Sequence, residues 1–555
     1  MIKSSNKSQF TIRDFDFPFH GELLSTTNKW VLLADVLPWD RFDELYIKNL
    51  SKKKGARCLT SRMTIGALII KHMEGLDDRG TIEAIQQNPY MQYFVGLKGW
   101  TIHPIFDPSL FVMIRKRISL EVVTEMCQMF IAQTSSQMAA IEAQKKADKA
   151  SRKSKKAGKK SQDKDKNEDG SNPSSQTDSQ GNLEIEGQTQ AVITHKGALR
   201  VDATVAPADI RYPVDVNILN DCLKKSCTLI DVLYTYSDLE SKPRQDKKKI
   251  HQTFVTYIKM GKNKKKKEIR KTIQTQLGLL KRNLQSIDLI ITSLNAKWVF
   301  LEDILKPKSI ELLETIRKVY QQQKQMYDAQ NHSVKDRIVS IHQPHVRPMI
   351  RGKARSSTEF GAKINVCHSE YGYQWIDRLD WDCFYEGHDL IPILEKYKER
   401  YGYWPEVVQI DRAYLGRENR NFMKENKIRH TGKALGRPSI KSLNKIEIAQ
   451  LKKDNGERNQ IEGLFGQGKR KYLLNVVRTR LQETSESWIA MSFFVMNLVR
   501  YAASIFLSFI SLFLISVIAL DTQKKVNNIP SEIKKWAWII ITRFSKNGSE
   551  ALSWS

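Results

Sequence analysis

The sequence predicts a mixed α/β protein whose sheet is interrupted by helices and preceded by a helical region. Two stretches, 197–205 and 361–381, alternate apolar and polar residues with the period of a β-strand. Between them, apolar residues recur every three or four positions from 269 to 294, as on one face of a helix. This order of strands, helices and further strands predicts one mixed sheet with an inserted helical segment.

The composition predicts an intracellular protein that binds a polyanion. The 555 residues contain 90 Lys and Arg against 61 Asp and Glu, a formal net charge of +29. Such an excess favours nucleic acid as the partner, although ribosomal and membrane-surface proteins share it. The six cysteines form no CxxC pair, which favours a reducing cytosol, and the first residues lack the apolar stretch of a signal peptide.

Residues 20–140 are predicted to form a helical N-terminal domain. Thr60 and Thr81 are the predicted N-caps of two helices, and a third, longer helix is predicted over 109–133. This third helix carries the basic run 115–117. Two interpretations stay open: a DNA-recognition domain built from short basic helices, and an ordinary helical bundle with a solvated basic edge.

The rest of the chain divides by composition. Residues 141–190 are predicted to be a disordered, Lys-rich linker, because they have almost no apolar side chains to bury. The predicted sheet domain comprises 195–221 and 336–500, and the helical insertion between its two parts comprises 222–335.

The last segment, 501–555, is predicted to be an apolar helix followed by a tail. Its stretch 502–520 is uncharged and long enough to cross a membrane. A core helix packed inside the protein has the same composition and is the favoured interpretation.

Three carboxylates are the candidate functional residues. Asp202 and Asp411 are each predicted at or near the end of an apolar strand, and Glu462 lies in a basic helix. If the two strands are neighbours, both aspartates converge at the edge where open α/β sheets bind ligands. A lone aspartate at a strand end usually caps the next turn, so the interpretation depends on all three residues together.

The helix around Glu462 has a patterned face. Arg458, Glu462 and Lys469 project in nearly the same direction, because they are four and eleven residues apart. As a structural feature alone, an Arg458–Glu462 pair would be worth about 0.2–0.5 kcal/mol. Three glycines interrupt the same helix: Gly463, Gly466 and Gly468. Each weakens a helix by about 1 kcal/mol relative to Ala, which predicts close approach of a DNA backbone.

Three segments resemble the catalytic blocks of DDE transposases from bacterial insertion sequences, of the insertion-sequence-five type. They are DATVAPADIRYPVDVNIL, DRAYLGRENRNF with a later GRP, and ERNQIEGLFGQGKRKY. The stretch LDDRGTIEAIQQNPYMQYFVGL is similar to the first helical domain of that group. The resemblance implies a ribonuclease-H-like catalytic domain in which Asp202, Asp411 and Glu462 bind two Mg²⁺ ions, which Mn²⁺ can replace.

The same resemblance implies a reaction. Water first frees a 3′-hydroxyl at the element end, and that hydroxyl then attacks target DNA, with the two metal ions holding the attacking and leaving oxygens. Arg458 and Lys469 would hold the scissile phosphate. Asn455 stands where the larger relatives carry a Tyr, a departure that affects a Tyr-mediated phosphate contact and not the metal site.

Further basic residues are predicted to contact DNA: Arg470, Arg412, Arg351 and Lys353. His342 and His345 have a loose metal-like spacing. Structural zinc takes four ligands, and neither a cysteine nor a third histidine accompanies this pair, so polar strand-edge residues are the favoured interpretation.

The predicted partners are the terminal inverted repeats of an element and its target DNA. A homodimer when the two element ends are held together is implied by resemblance alone. The expected location is the bacterial cytoplasm, at the nucleoid, and membrane association is not expected. Two alternatives stay open: a related endonuclease that cuts without joining, and an inactive DNA-binding derivative.

Overall fold

The protein is a mixed α/β structure in which helices greatly outnumber strands. The computed structural model describes residues 24–48, 50, 58–162, 194–261, 264–350, 358–432 and 445–523. Within these ranges one six-stranded sheet is surrounded by helices.

Helices fill the described part of the N-terminal region. They are α1 (Lys29–Val36), α2 (Trp39–Lys48), α3 (Ser61–Glu74), α4 (Asp78–Gln87), α5 (Pro89–Phe94), α6 (Leu110–Arg117) and α7 (Leu120–Gln162). Thr60 is the N-cap of α3, as predicted, since its side chain accepts a hydrogen bond from the Met63 N–H. The prediction for Thr81 is wrong, because the Asp77 carboxylate caps α4 instead.

Two other N-terminal predictions need correction. The helix predicted over 109–133 is two helices, α6 and α7, because Ile118 leaves the helical conformation and buries its side chain. Helix α7 then continues to Gln162, so the first part of the predicted linker, 141–162, is helical. That part is rich in Lys and Ala, which are strong helix formers even without apolar burial. Residues 163–190 of the predicted linker lie outside the described residues.

The sheet consists of β1 (Ala198–Pro207), β2 (Arg347–Ile350), β3 (Thr358–Ser369), β4 (Gln374–Asp380), β5 (Val407–Gln409) and β6 (Arg429–His430). Its order is β2-β3-β1-β5-β6, and β4 also pairs with β3. Strand β1 is antiparallel to β3 and parallel to β5. The predicted hairpin is confirmed: β3 and β4 are joined by a turn at Gly372, where φ is 89°.

The inserted helices have a core of their own. They are α8 (Asp215–Tyr234), α9 (Lys247–Lys259), α10 (Lys266–Asn295), α11 (Leu301–Ile304) and α12 (Pro307–Asp328). Helix α10 buries the predicted apolar stripe, including Leu280 and Ile287, against α8 and α12. Because α8 begins at Asp215, these helices start seven residues before the predicted boundary at 222.

Four helices follow the strands: α13 (Leu390–Tyr401), α14 (Arg417–Glu425), α15 (Lys445–Lys471) and α16 (Gln482–Gln523). Helix α16 joins the N-terminal helices to the sheet in one apolar core. Phe494 of α16 packs edge-on against the rings of Phe42 and Phe130, with centroids 6.1 Å apart in each pair. The helices predicted for the N-terminal region are therefore present, but they share their core with the sheet.

Among the described residues, the stretch Gln482–Ile505 of α16 has the length and apolar composition of a membrane span. Of its most apolar window, 72% is buried inside the protein, as in a core helix of a soluble protein. The side chains of 506–520 lie outside those described, so the assignment of the predicted stretch 502–520 stays a prediction.

Candidate active site

Asp202 and Asp411 come from neighbouring parallel strands. Strands β1 and β5 pair in register up to Arg200 and Gln409. Asp202 lies two residues further along β1, and Asp411 lies two residues past the end of β5, still in extended conformation. Since side chains two apart in a strand share a face, both carboxylates are directed to the same side of the sheet. One detail differs from expectation: Asp202 lies inside β1, because pairing with β3 extends β1 to Pro207.

Asp202 lies in a partly buried setting with charges of both signs nearby. Its carboxylate is half-buried and accepts a hydrogen bond of 2.8 Å from the Ala203 N–H. Burial raises the pKa of Asp202 to about 6; the Ala203 bond and Arg458 oppose this shift, and the charges of Asp411 and Glu386 add to it. Two neighbouring carboxylates therefore add to the effect of burial on Asp202, and Arg458 opposes it.

Asp411 is held by the turn that follows β5. Its Oδ1 accepts a hydrogen bond of 2.7 Å from the Arg412 N–H, while the residue itself stays exposed. The turn is anchored by Tyr414, whose buried hydroxyl donates to Asn365 Oδ1 at 2.7 Å. The usual structural role of an aspartate after a strand, capping a turn, is thus present alongside its proximity to Asp202.

Glu386 is an acidic neighbour that the sequence pattern does not single out. It begins a short 3-10 turn, Glu386–Asp389, and forms an ion pair of 2.8 Å with Lys363 Nζ. The segment around it, WDCFYEGHD, has neither a strand-end position nor a regular spacing. Only the folded chain brings Glu386 close enough to affect the pKa of Asp202.

Helix α15 is fastened across β1 and β5 next to the two aspartates. The buried Arg200 of β1 donates from Nε to the Glu457 carbonyl at 3.1 Å and pairs with the Glu457 carboxylate at 3.5 Å. Gln409 of β5 donates to the same carboxylate at 3.1 Å. Arg458 is the next residue after Glu457, so these contacts also hold the Arg458 guanidinium near Asp202.

Glu462 stands apart from the other two candidates. Its side chain is 57% exposed and pairs with Arg458, with 3.5 Å between NH2 and Oε1. Among the described residues, no three Asp, Glu, His or Cys side chains are grouped closely enough to hold a metal ion. The structure thus brings Asp202 and Asp411 near each other. Glu462 does not join them and is paired with Arg458, which lies near Asp202.

The donor chemistry still fits a divalent cation. Carboxylate oxygens are the hard ligands that Mg²⁺ and Mn²⁺ take. A carboxylate with a raised pKa beside two others is destabilised in its charged form, and a cation would relieve that repulsion. Asp202 and Asp411 fit such an ion by position, and Glu462 fits by chemistry and by its location on the adjoining helix.

The three glycines of α15 have different surroundings. A Cβ on the buried Gly468 would lie 2.7 Å from Leu474 Cδ1 and 3.2 Å from Met496 Sδ, so this glycine permits close helix packing. A Cβ on Gly466 would make ordinary contacts with Arg470, the nearest at 3.6 Å, and one on Gly463 would meet nothing within 4 Å. The prediction that DNA approach explains all three is wrong for Gly468.

The predicted DNA contacts have varied positions. Arg412 and Arg470 are exposed and Lys469 is half-buried, whereas Arg351 and Lys353 lie outside the described residues. In the N-terminal basic run, Arg115 is buried and forms two hydrogen bonds to Asp78, so its charge is used inside the protein.

The histidine pair does not form a metal site in the described part of the chain. His345 packs edge-on against Trp381 at 4.4 Å, and burial, with the nearby Arg347, lowers its pKa to about 4.

Comparison with known proteins identifies two segments. Residues 408–499 match the family described as "Transposase DDE domain", and residues 19–117 match "Transposase domain (DUF772)". The first match includes Asp411, Arg458, Glu462 and Lys469, and Asp202 lies outside both.

A curated relative also matches part of the chain. It is an uncharacterized protein, ORF8 in the nfe locus of Rhizobium meliloti, 32% identical over 96 residues. The match covers 17% of this chain and 46% of the relative, so the chain spans about half the length of the curated relative it matches. No solved structure matches this chain.

Proposed function

We propose that this chain, which belongs to the DDE transposases, cuts the ends of a bacterial insertion sequence and joins them to target DNA. The observation that carries the proposal is the register of β1 and β5, which brings Asp202 and Asp411 together on one face of the sheet. Beside them, α15 contributes Arg458 and Glu462. Two carboxylates on one face of the sheet, with a third carboxylate and a cation on the adjoining helix, supply the kinds of group that phosphodiester chemistry uses.

Asp202, Asp411 and Glu462 would hold two divalent ions, Mg²⁺ or Mn²⁺. Bound there, such ions supply activation of the attacking oxygen and neutralisation of charge on the leaving oxygen. For Glu462 to join the two aspartates, its exposed side chain would have to leave Arg458 and turn toward them. We also propose that the sheet domain has a ribonuclease-H-like fold.

The chain's own cations orient the substrate. Arg458, already close to Asp202, would bind a non-bridging oxygen of the scissile phosphate, and Lys469 would bind further along the same helix face. In the first step a water oxygen bonds to phosphorus while the bond to the 3′-oxygen breaks, leaving a 3′-hydroxyl and a 5′-phosphate. In the second step that hydroxyl replaces the 3′-oxygen of a target phosphodiester.

The remaining parts of the proposal concern partners and place. The net charge of +29 supports binding of element ends and target DNA. Joining two ends at once calls for two copies of the chain, hence a homodimer at that stage. Its place of action would be the bacterial cytoplasm, at the nucleoid.

The test uses a supercoiled plasmid that carries the gene's flanking DNA as the element ends. With Mg²⁺, the full chain should yield cut ends and covalently joined products. Asp202→Asn and Asp411→Asn should each lower the rate by about a thousandfold, several kcal/mol of lost transition-state stabilisation. The matched control, Asp209→Asn, changes an exposed aspartate just beyond β1 and should leave the rate unchanged.

Two results would contradict the proposal. Cuts without joined products would identify an endonuclease, and binding of the ends without any cut would identify an inactive derivative.

A further inference from the structure

The helical insertion carries a concentrated basic surface at one end. We call it the basic root, and it consists of Lys259, Lys264, Lys265, Lys266, Lys267, Arg270 and Lys271. All of these residues are exposed except Lys264, which is half-buried. Glu268 is the one acidic residue in the sequence between Lys259 and Lys271.

The basic root lies where the insertion joins the sheet domain. The Arg270 guanidinium stacks 4.2 Å from the ring of Tyr327, at the end of α12. In the last two turns of that helix, Gln323 donates to Asp215, the first residue of α8, at 2.9 Å. Arg337, where the chain returns toward β2, donates to the same carboxylate at 2.8 Å. The start of α10, which carries Arg270, therefore lies at the same end of α12 as the point where the insertion is attached.

Some cations elsewhere on the insertion are paired with carboxylates, although Lys306 and Lys308 have no such partner among the residues that the structure describes. Asp231 pairs with Lys242 at 2.8 Å and with Lys247 at 2.7 Å. Asp246 likewise pairs with Arg244 and Arg282. Within the described residues, no cation of the basic root has a carboxylate within ion-pair distance.

This arrangement is unfavourable for the insertion on its own. Lys266 and Arg270, and likewise Lys267 and Lys271, are four apart on α10, and such like-charged pairs destabilise a helix by about 0.2–0.5 kcal/mol each. They also occupy the first turns of α10, where the helix dipole favours anions. Lysines that served solubility alone would be better placed at the far end of the helix. A polyanion held against the basic root would remove this repulsion.

We propose that the basic root binds the phosphate backbone of the DNA duplex adjoining the segment that is cut. The identification of DNA as the partner rests on the proposed function. The contact is independent of sequence, because exposed lysines on a convex helix reach phosphates and not base edges. Its role is to fix the register of the duplex relative to Asp202 and Asp411.

The test compares two charge reversals of equal size at opposite ends of the insertion. Lys266→Glu with Lys267→Glu changes the basic root at the start of α10. Lys306→Glu with Lys308→Glu changes two exposed lysines at the start of α12, the opposite end of that helix from Tyr327. Both pairs lie at the N-terminus of a helix, Lys306 as the N-cap and the other three within the first turn. Negative charge is favoured at this end of a helix, so neither variant should lower the unfolding temperature.

The measurement is the Kd of the full chain for a labelled duplex several helical turns long, over a range of salt and without divalent ions. The root variant should bind about 10- to 100-fold more weakly near 0.1 M salt, and its slope of log affinity against log salt should fall by about two. The far-end variant should match the unmodified chain.

Equal loss in both variants, or loss in neither, would overturn the inference. Because binding is measured without divalent ions, it does not depend on cutting. A chain that binds through the basic root but never cuts would contradict the proposed reaction and leave the basic root in place.

Discussion

Two clusters of charge inside this protein differ in how their charges are matched. The first joins α3, α4 and α6 and consists of Lys71, Asp78 and Arg115. The second lies where β1, β5 and α15 meet and consists of Asp202, Asp411, Glu386 and Arg458. We call them the matched cluster and the acidic cluster.

In the matched cluster each charge has a close partner of opposite sign. Arg115 donates two hydrogen bonds of 2.9 and 2.8 Å to Asp78, and Lys71 Nζ lies 3.1 Å from the same carboxylate. Burial raises the pKa of Asp78, but Arg115 and Lys71 more than offset it, so the net shift is downward. The two cations also lie over the ring of Trp488 of α16, which links the cluster to the central core.

In the acidic cluster burial has a larger effect on Asp202 than any single neighbouring charge. The pKa of Asp202 is shifted in the opposite direction from that of Asp78, because burial and neighbouring carboxylates outweigh Arg458. A fold gains nothing from a half-buried carboxylate held in this state. Such destabilised groups are characteristic of sites that bind or transform a ligand. The difference between the clusters therefore supports the proposal that the acidic cluster is a functional site, whereas the matched cluster is structural.

The largest expected effect on stability is that of Asp78→Asn. The change removes the shared anion and leaves Lys71 and Arg115, which are almost fully buried, without a counter-charge. We expect the free energy of unfolding to fall by about 3 kcal/mol, as when one partner of a buried pair is removed. Urea unfolding at neutral pH would measure it.

Glu83→Gln provides the control for that change, because Glu83 is an exposed acid on the same helix. It should alter stability by no more than about 0.5 kcal/mol. If Asp78→Asn were equally mild, the matched cluster would not be a structural element.

The sequence predicts the elements of this fold better than their packing. The stripe on α10, the cap at Thr60 and the β3–β4 hairpin are local patterns and are confirmed. Arg115 shows the limit: a basic run reads as a DNA-binding surface, but its partner, Asp78, is 37 residues away. Periodicity contains no information about such pairs, which form when α16 brings distant helices into one core.

In the candidate site, too, local patterns could be predicted from the sequence and long-range contacts could not. Asp202 and Asp411 were identifiable because each follows a run of apolar strand residues, and strand pairing then brings them together. Glu386 was not identifiable, because its place near Asp202 depends on a turn after β4. The distance of Glu462 from the aspartates likewise depends on side-chain rotation about α15, which sequence spacing does not specify.

The next effect concerns Asp202→Asn, which should stabilise the protein at neutral pH in the presence of EDTA. The pKa of Asp202 is about 6 in the folded protein, against the ordinary value of 3.8 for an aspartate, so folding favours the protonated form. This contribution to stability is complete below about pH 4 and is lost as the pH rises through 6. At pH 7 the variant should therefore be more stable by about 2 kcal/mol, and the difference should vanish near pH 4.

Thermal unfolding at several pH values would measure that difference. Added Mg²⁺ should then stabilise the unmodified chain more than the variant, since a ligand stabilises the state that binds it. Equal stability of the two chains at every pH would show that the acidic cluster is not strained.

The smallest effects distinguish two glycines of α15, the helix that covers the acidic cluster. Gly463→Ala adds a methyl group into open space, so the gain in helix propensity should raise the free energy of unfolding by about 1 kcal/mol. Gly468→Ala should lower it by about 1 kcal/mol or more, because the new Cβ would approach Leu474 and Met496 too closely. Urea unfolding of both variants would measure these changes. DNA binding by Gly463→Ala should be measured as well. Weaker binding despite higher stability would show that a glycine is needed at this position for contact with DNA. Unchanged binding would mean that close approach of DNA explains neither glycine.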